Sequence, residues 1–146
     1  MSAALPGTLG PTGRRSARGG AVLRWVALLL LCAAYLQGGL VKLLDFQGAI
    51  GEMQHFGLAP APLFAALVIL LELGASALIL TGRLRWLGAL ALAAFTAAAT
   101  FMANRYWEAS GQERFMLMNS FFEHWGLVGG FLYVAMLDVL ERRRSA

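Results

Sequence analysis

The chain has 146 residues, 59% of them hydrophobic and only 14% charged, with a net charge of +4, an isoelectric point near 10.0 and a mean hydropathy of +0.65. That length gives one domain, and an apolar share so far above that of ordinary soluble domains makes it an integral membrane protein. The basic excess sits in short clusters beside apolar runs, so it reports topology and excludes nucleic acid as a partner, while the single Cys32 excludes an internal disulfide, a C-x-x-C pair and a thiolate metal site.

Residues 1–20 are rich in Gly, Pro, Ser and Ala, carry Arg14, Arg15 and Arg18, and show no apolar period; they are expected to form a disordered tail. Arg24 closes this basic cluster. A basic start followed by an apolar run is also the layout of a signal peptide, and an Arg-rich, acid-poor start that of a transit peptide. The run from Trp25 to about Leu44 has no convincing small-residue cleavage site before it ends, however, and its length of about 20 residues spans a bilayer.

In the connection from Phe46 to Ala61, Phe46, Ile50, Met53 and Phe56 recur at helical spacing, with Gln47, Glu52 and Gln54 off that stripe. This predicts a short interfacial helix stopped by Gly57, with His55 a solvated residue at its end. A second segment opens after Pro60 and Pro62, runs from Leu63 to about Thr81 and stops at Gly82. Arg83 and Arg85 make a tight basic turn into an alanine-rich third segment, Leu84 to about Ala103. The connection from Asn104 to about His124 is polar first and apolar from Phe115 to Met118, the pattern of a lid over the bundle mouth. The fourth segment runs from about Trp125 to Leu140, stops at Glu141-Arg142-Arg143-Arg144, and is short but can extend backwards through Phe121 and Phe122. The expectation is an all-α, four-helix transmembrane bundle occupying 21–141, with spans near 24–44, 63–81, 84–103 and 123–140, because nothing alternates like a barrel strand.

Nine basic residues (Arg14, Arg15, Arg18, Arg24, Arg83, Arg85, Arg142, Arg143, Arg144) fall on one side of that topology and three (Lys42, Arg105, Arg114) on the other. Both termini are therefore expected in the cytoplasm. Gly126 and Gly130 on the fourth helix, and Ala89, Ala93 and Ala97 on the third, are the expected close-packing faces, since lipid supplies no hydrophobic drive between helices.

Polar residues inside apolar runs carry most of the functional information, because each costs roughly 2.5 to 3.5 kcal/mol to insert at mid-membrane. Glu72 lies halfway along its segment with Ser76 one turn on. Tyr35, Gly38, Lys42 and Asp45 fall on one stripe of the first helix, and Thr96, Thr100 and Asn104 on one stripe of the third, with His124 at the outer start of the fourth. If these faces turn inward, Lys42, Asp45, Glu72, Thr100, Asn104 and His124 line one outward-opening pocket that suits a quinone head group, a proton or a small polar solute. Two plainer readings stand beside it: a local Lys42–Asp45 pair at i, i+3, and a polar network that only fixes helix register. By depth, Glu72 lies roughly 12 Å further in than Lys42, so a direct pair needs a tilted helix or a water. His124 has no second histidine within a turn, so no metal or haem pair is expected.

The pieces Gln37-Gly38-Gly39-Leu40-Val41-Lys42-Leu43-Leu44-Asp45-Phe46, Phe56-Gly57-Leu58-Ala59-Pro60, Leu71-Glu72-Leu73-Gly74, Leu80-Thr81-Gly82-Arg83 and Gly129-Gly130, in this order and spacing, resemble the DoxX family of small four-helix bacterial membrane proteins over about residues 23–137. Lys42, Asp45 and Glu72 match the family pattern. Asn104-Arg105 and Glu123-His124 depart from it, standing where members often carry a histidine and a lysine-asparagine pair. The resemblance implies a bacterial cytoplasmic-membrane protein that partners a redox system, as members do in thiosulfate:quinone oxidoreductase and superoxide-handling complexes, or a maturation pathway. The expected function is a non-catalytic or quinone-interacting component of a redox complex, with no intrinsic cofactor and any activity held as a subunit of a quinone-linked oxidoreductase. The alternatives are a small proton-coupled transporter or permeability protein built on Glu72, and a scaffold acting through the Arg142–Arg144 tail.

Overall fold

The computed structural model describes residues 11–145, with side chains from Arg18 onward. It contains five helices: α1 Pro11–Leu44, α2 Phe46–His55, α3 Ala61–Thr81, α4 Arg85–Ala103 and α5 Gly111–Ser145. No strand occurs among the described residues. Arg18–Leu44 within α1, α3 and α4 are each long and apolar enough to cross a membrane. α1 packs on α3, α3 on α4, and α4 on α5, which returns to touch α1.

The interior is built from small residues. Ala65, Ala75, Ala89, Ala93 and Ala135 are buried, whereas Leu30 and Leu70 stand 71% and 68% exposed, the arrangement a lipid solvent allows and water does not. Ala97 is half-buried against the same core. The tightest approaches between the long helices occur at two glycines that the sequence pattern does not single out as packing positions. A Cβ at Gly88 would come within 2.6 Å of the Ala75 carbonyl oxygen, joining α4 to α3, and one at Gly39 within 2.8 Å of Leu73, joining α1 to α3. Gly130 meets Leu31 of α1, but Gly126 meets nothing within 4 Å among the described residues, so the expected Gly126–Gly130 face closes at one of its two ends.

Three expectations change. α1 is helical from Pro11, so the latter half of the tail predicted over 1–20 is ordered; a proline in the first turn is preorganised for a helix, and the Arg and Ala that follow propagate it. Residues 1–10 lie outside the described residues. The loop after α4 is only 104–110, and the stretch predicted as a lid is the first third of α5. Gly111 at φ +57° starts that helix and no proline interrupts it for 35 residues, roughly 52 Å at 1.5 Å per residue. Phe121 anchors this part against Phe101, Tyr106, Trp107 and Trp125, with ring centroids 5.8, 5.3, 6.1 and 6.2 Å away. The third change concerns Asp45, which leaves the α1 stripe to cap α2.

Candidate functional site

α1 ends at Leu44, and Asp45 accepts a hydrogen bond from the Gly48 amide at 2.9 Å, capping the N-terminus of α2. An i, i+3 pair with Lys42 presumes that the helix continues through residue 45. Here it does not, and Asp45 is exposed and absent from the cavity described below. α2 then folds back over the bundle, burying Ala49 and Met53 against Ala61 and Ala65 of α3, which carries Glu52 to the same end of the bundle as Lys42.

Lys42 turns inward. Its Nζ lies 3.3 and 3.4 Å from the two carboxylate oxygens of Glu72 and 4.0 Å from Glu52 Oε2. The depth difference that argues for an intervening water is bridged because the lysine folds back along its own helix: Nζ lies 3.5 Å from where a Cβ of Gly38 would stand, one turn of about 5.4 Å below Lys42. A Cβ at position 38 would stand in ordinary contact with both charges, and a side chain longer than alanine would crowd them.

Around this pair is a cavity of about 460 Å³. Tyr35 and Gly38 of α1, Met53 and Phe56 of α2, Phe64 and Val68 of α3, Phe95 and Met102 of α4, and Leu127 of α5 make a largely apolar wall. Lys42, Glu52, Glu72, Thr96 and His124 supply its polar groups. Thr96 donates to the Leu92 carbonyl at 2.6 Å, so the contact with Tyr35 Oη at 2.5 Å is a bond that Tyr35 donates. Both hydroxyl protons are thereby spent inside the protein.

Thr100 and Asn104 are buried but do not line the cavity. Thr100 donates to the Thr96 carbonyl at 2.6 Å, its own helix taking the hydroxyl that the stripe pattern assigns to the pocket. Asn104 lies behind His124, Nδ2 to Nδ1 at 3.4 Å. His124 Nδ1 is also 2.5 Å from the Ser120 carbonyl, a contact that requires a proton on Nδ1, so the neutral ring keeps its lone pair on Nε2. Lys42, Glu72 and His124 therefore share one cavity, Asn104 supports it from behind, and Thr100 and Asp45 do other work. Glu52, set aside in sequence as an off-stripe polar residue, joins them; its signal was an acid on a helix that has to fold back over Lys42. Among the described residues no three His, Cys, Asp or Glu side chains converge to hold a metal ion.

A second polar cluster lies at the opposite end, with no counterpart in the sequence-based site. Asp138 of α5 is buried and accepts from Arg142 Nε at 2.8 Å and from the Trp86 amide at 3.1 Å, with Arg85 Nη1 3.8 Å away. Arg142 Nη2 also donates to the Gly82 carbonyl at 3.2 Å, and Arg85 Nε to the Ile79 carbonyl at 3.0 Å. This closes the α3–α4 turn onto α5.

The inner membrane protein YphA of Escherichia coli (strain K12) is 26% identical over 116 residues, 79% of this chain and 82% of the relative. No solved structure matches the chain. The DoxX family model matches residues 20–105, more than half of the chain and the part that contributes Lys42, Glu52 and Glu72 to the cavity. The chain belongs to the DoxX family of membrane proteins.

Proposed function

We propose that this protein is a quinone-interacting membrane component of a redox complex, holding a quinone head group in the cavity beside Lys42 and Glu72 and having no catalytic activity of its own. The observation that carries this reading is the combination of a largely apolar cavity of about 460 Å³ with one ammonium–carboxylate pair at its polar end. Pockets for small amphiphiles have this size and this ratio of greasy wall to a few orienting polar groups. A ring carbonyl is an acceptor, and Lys42 is a three-proton donor whose two carboxylate neighbours leave it a proton to give. Tyr35 and Phe95 offer ring edges and faces for stacking. A redox partner protein is part of the proposal, as the source or sink of the bound quinone's electrons.

The membrane arrangement proposed with it is a four-helix bundle in which the apolar part of α5, 123–140, makes the fourth crossing beside the three apolar helices. Both termini lie in the cytoplasm by the nine-to-three bias of basic residues, and the membrane is the bacterial inner membrane, as the name of the relative YphA states for that protein.

Protein purified in mild detergent is expected to retain quinone in its lipid extract and to bring a redox protein with it. A Lys42→Met variant should bind a decyl-tailed benzoquinone roughly tenfold more weakly, the loss of one charge-assisted hydrogen bond. Repeated absence of both quinone and partner from the wild-type preparation rejects the reading.

A further inference from the structure

We infer that the seam between α1 and α5 is a lateral portal, through which the alkyl or isoprenoid tail of a head-group ligand passes from the cavity into lipid. The inference rests on the cavity being a head-group site and adds where the rest of the ligand goes.

The two helices touch only along part of their length. Toward the Arg24 end they are tied: Arg24 makes a two-pronged bond to Glu141 at 2.8 Å, Leu31 comes within 3.2 Å of the position of a Gly130 Cβ, and the rings of Tyr35 and Phe131 are 5.4 Å apart. Gly126 lies one turn beyond Gly130 on the same face of α5. One turn beyond Leu31 on α1 stands the small Ala34, and nothing lies within 4 Å of a Cβ at the exposed Gly126 among the described residues. The seam between the two helices is therefore left open toward the Lys42 end.

The slot this leaves is continuous with the cavity. Ala34 and Gly38 on the α1 lip and His124 and Leu127 on the α5 lip all line it, and Ala34 is exposed. Two of the three other seams at this level are shut, and the third, α3 to α4, carries the larger Phe64, Val68 and Met102 beside Ala98 and Ala99. Gly39 against Leu73 closes α1 on α3, and Phe101 against Phe121 and Trp125 closes α4 on α5. A cavity of about 460 Å³ holds a head group and has no room for a long chain as well. The tail needs an exit lined by small, apolar groups that opens on hydrocarbon, which is what Ala34, Gly38 and Gly126 provide.

The test uses the full-length protein in phosphatidylcholine nanodiscs with two probes, a methoxy-benzoquinone carrying a decyl tail and the same ring without a tail. Gly126→Trp places an indole in the slot without touching the cavity lining, and Gly126→Leu fills it in part. The expected result is roughly a tenfold loss of affinity for the tailed probe in Gly126→Trp, a smaller loss in Gly126→Leu and less than about a twofold change for the tail-less ring, whose retention also shows that the fold survives. Unchanged binding of both probes overturns the portal, as does an equal loss of both in variants whose thermal unfolding is unaltered. If neither probe binds the wild-type protein, the quinone reading falls and the portal with it; selective failure of the variants to discriminate removes the portal alone.

Discussion

Glu72 and Asp138 are buried to nearly the same degree, 5% and 4% exposed, and each sits on a helix with basic partners from elsewhere in the chain. Their surroundings differ in kind. Asp138 receives a backbone amide and a guanidinium at 3.1 and 2.8 Å, with a second guanidinium at 3.8 Å, and closes a turn onto a helix. Glu72 has one lysine, at 3.3 and 3.4 Å, longer than the roughly 2.7–2.9 Å of a good charge-assisted bond, and that lysine is shared with Glu52. A saturated carboxylate holds structure and has little left to offer a ligand. An under-coordinated one beside a cavity keeps acceptor capacity in reserve, so the bundle is fastened at the Asp138 end and open to chemistry at the Glu72 end.

The sharpest way to break this comparison is to remove Asp138. Asp138→Ala leaves Arg142 Nε and the Trp86 amide without their acceptor and Arg85 Nη1 without its counter-charge, and a broken buried network of this kind costs about 3 kcal/mol. The expected result is a large loss of unfolding free energy in mixed micelles, with quinone affinity per folded molecule unchanged. An equal loss of affinity would mean that the two ends are not separable.

The unequal legibility of these two carboxylates has a physical cause. Lys42 and Glu72 stand out in sequence because a charge inside an apolar run is costly wherever its partner is. Asp138 sits three residues before an acid and three arginines, where an acidic residue at a helix end carries no penalty and the arginines look like a stop signal. Its meaning comes from Arg85 and Trp86, more than 50 residues earlier, a proximity no local pattern encodes. Asp45 fails the other way. The stripe Tyr35, Gly38, Lys42 is real, but extending it by three residues assumes a helix that ends at Leu44 because Asp45 is the better cap. Thr100 keeps the predicted face and loses its hydroxyl to Thr96, since in a helix the i−4 carbonyl is always nearer than a ligand. The three apolar helices and the short α2 were legible from composition and period. The start of α5 was not, because an amphipathic, aromatic-rich stretch reads equally as loop or helix until Phe101, Tyr106 and Trp107 are seen to pack on it.

A smaller effect sharpens the same comparison at the other end. Glu72→Leu alone strands Lys42 in an apolar cavity with only Glu52 within reach, whereas Lys42→Met with Glu72→Leu removes both charges and leaves greasy side chains of similar size. Replacing a whole buried pair by hydrophobes is often neutral or stabilising, so the double variant should recover most of the loss, a coupling of about 1 to 2 kcal/mol by double-mutant cycle. Its quinone binding should stay weakened by at least the roughly tenfold expected of Lys42→Met alone. A double variant as unstable as Asp138→Ala would make the Lys42–Glu72 pair a second structural fastener and remove the reason for assigning it a ligand.

The smallest expected effect belongs to Arg24 and Glu141, which tie α1 to α5 at the end of the seam away from Lys42. Arg24 holds the Glu141 carboxyl below the usual range, chiefly through the hydrogen bond, against an opposing cost of burial, with the Arg24 charge adding a smaller lowering. The native state thus has the lower pKa, and the unfolded chain binds more protons in acid. The stabilisation is complete above the unfolded value of about 4.3 and is lost as pH falls through the lowered native value. Both side chains are about half exposed, so the contribution is at most about 0.5 kcal/mol and shrinks with salt. Arg24→Gln should therefore leave unfolding at pH 7 almost unchanged and flatten its dependence below about pH 4.3. If the variant instead loosens the molecule at neutral pH by as much as Glu72→Leu does, the fastening of α1 to α5 depends on this surface pair more than on Leu31, Tyr35 and Phe131. The seam would then be hinged at Arg24, and the opening beside Gly126 would be adjustable by a single exposed ion pair.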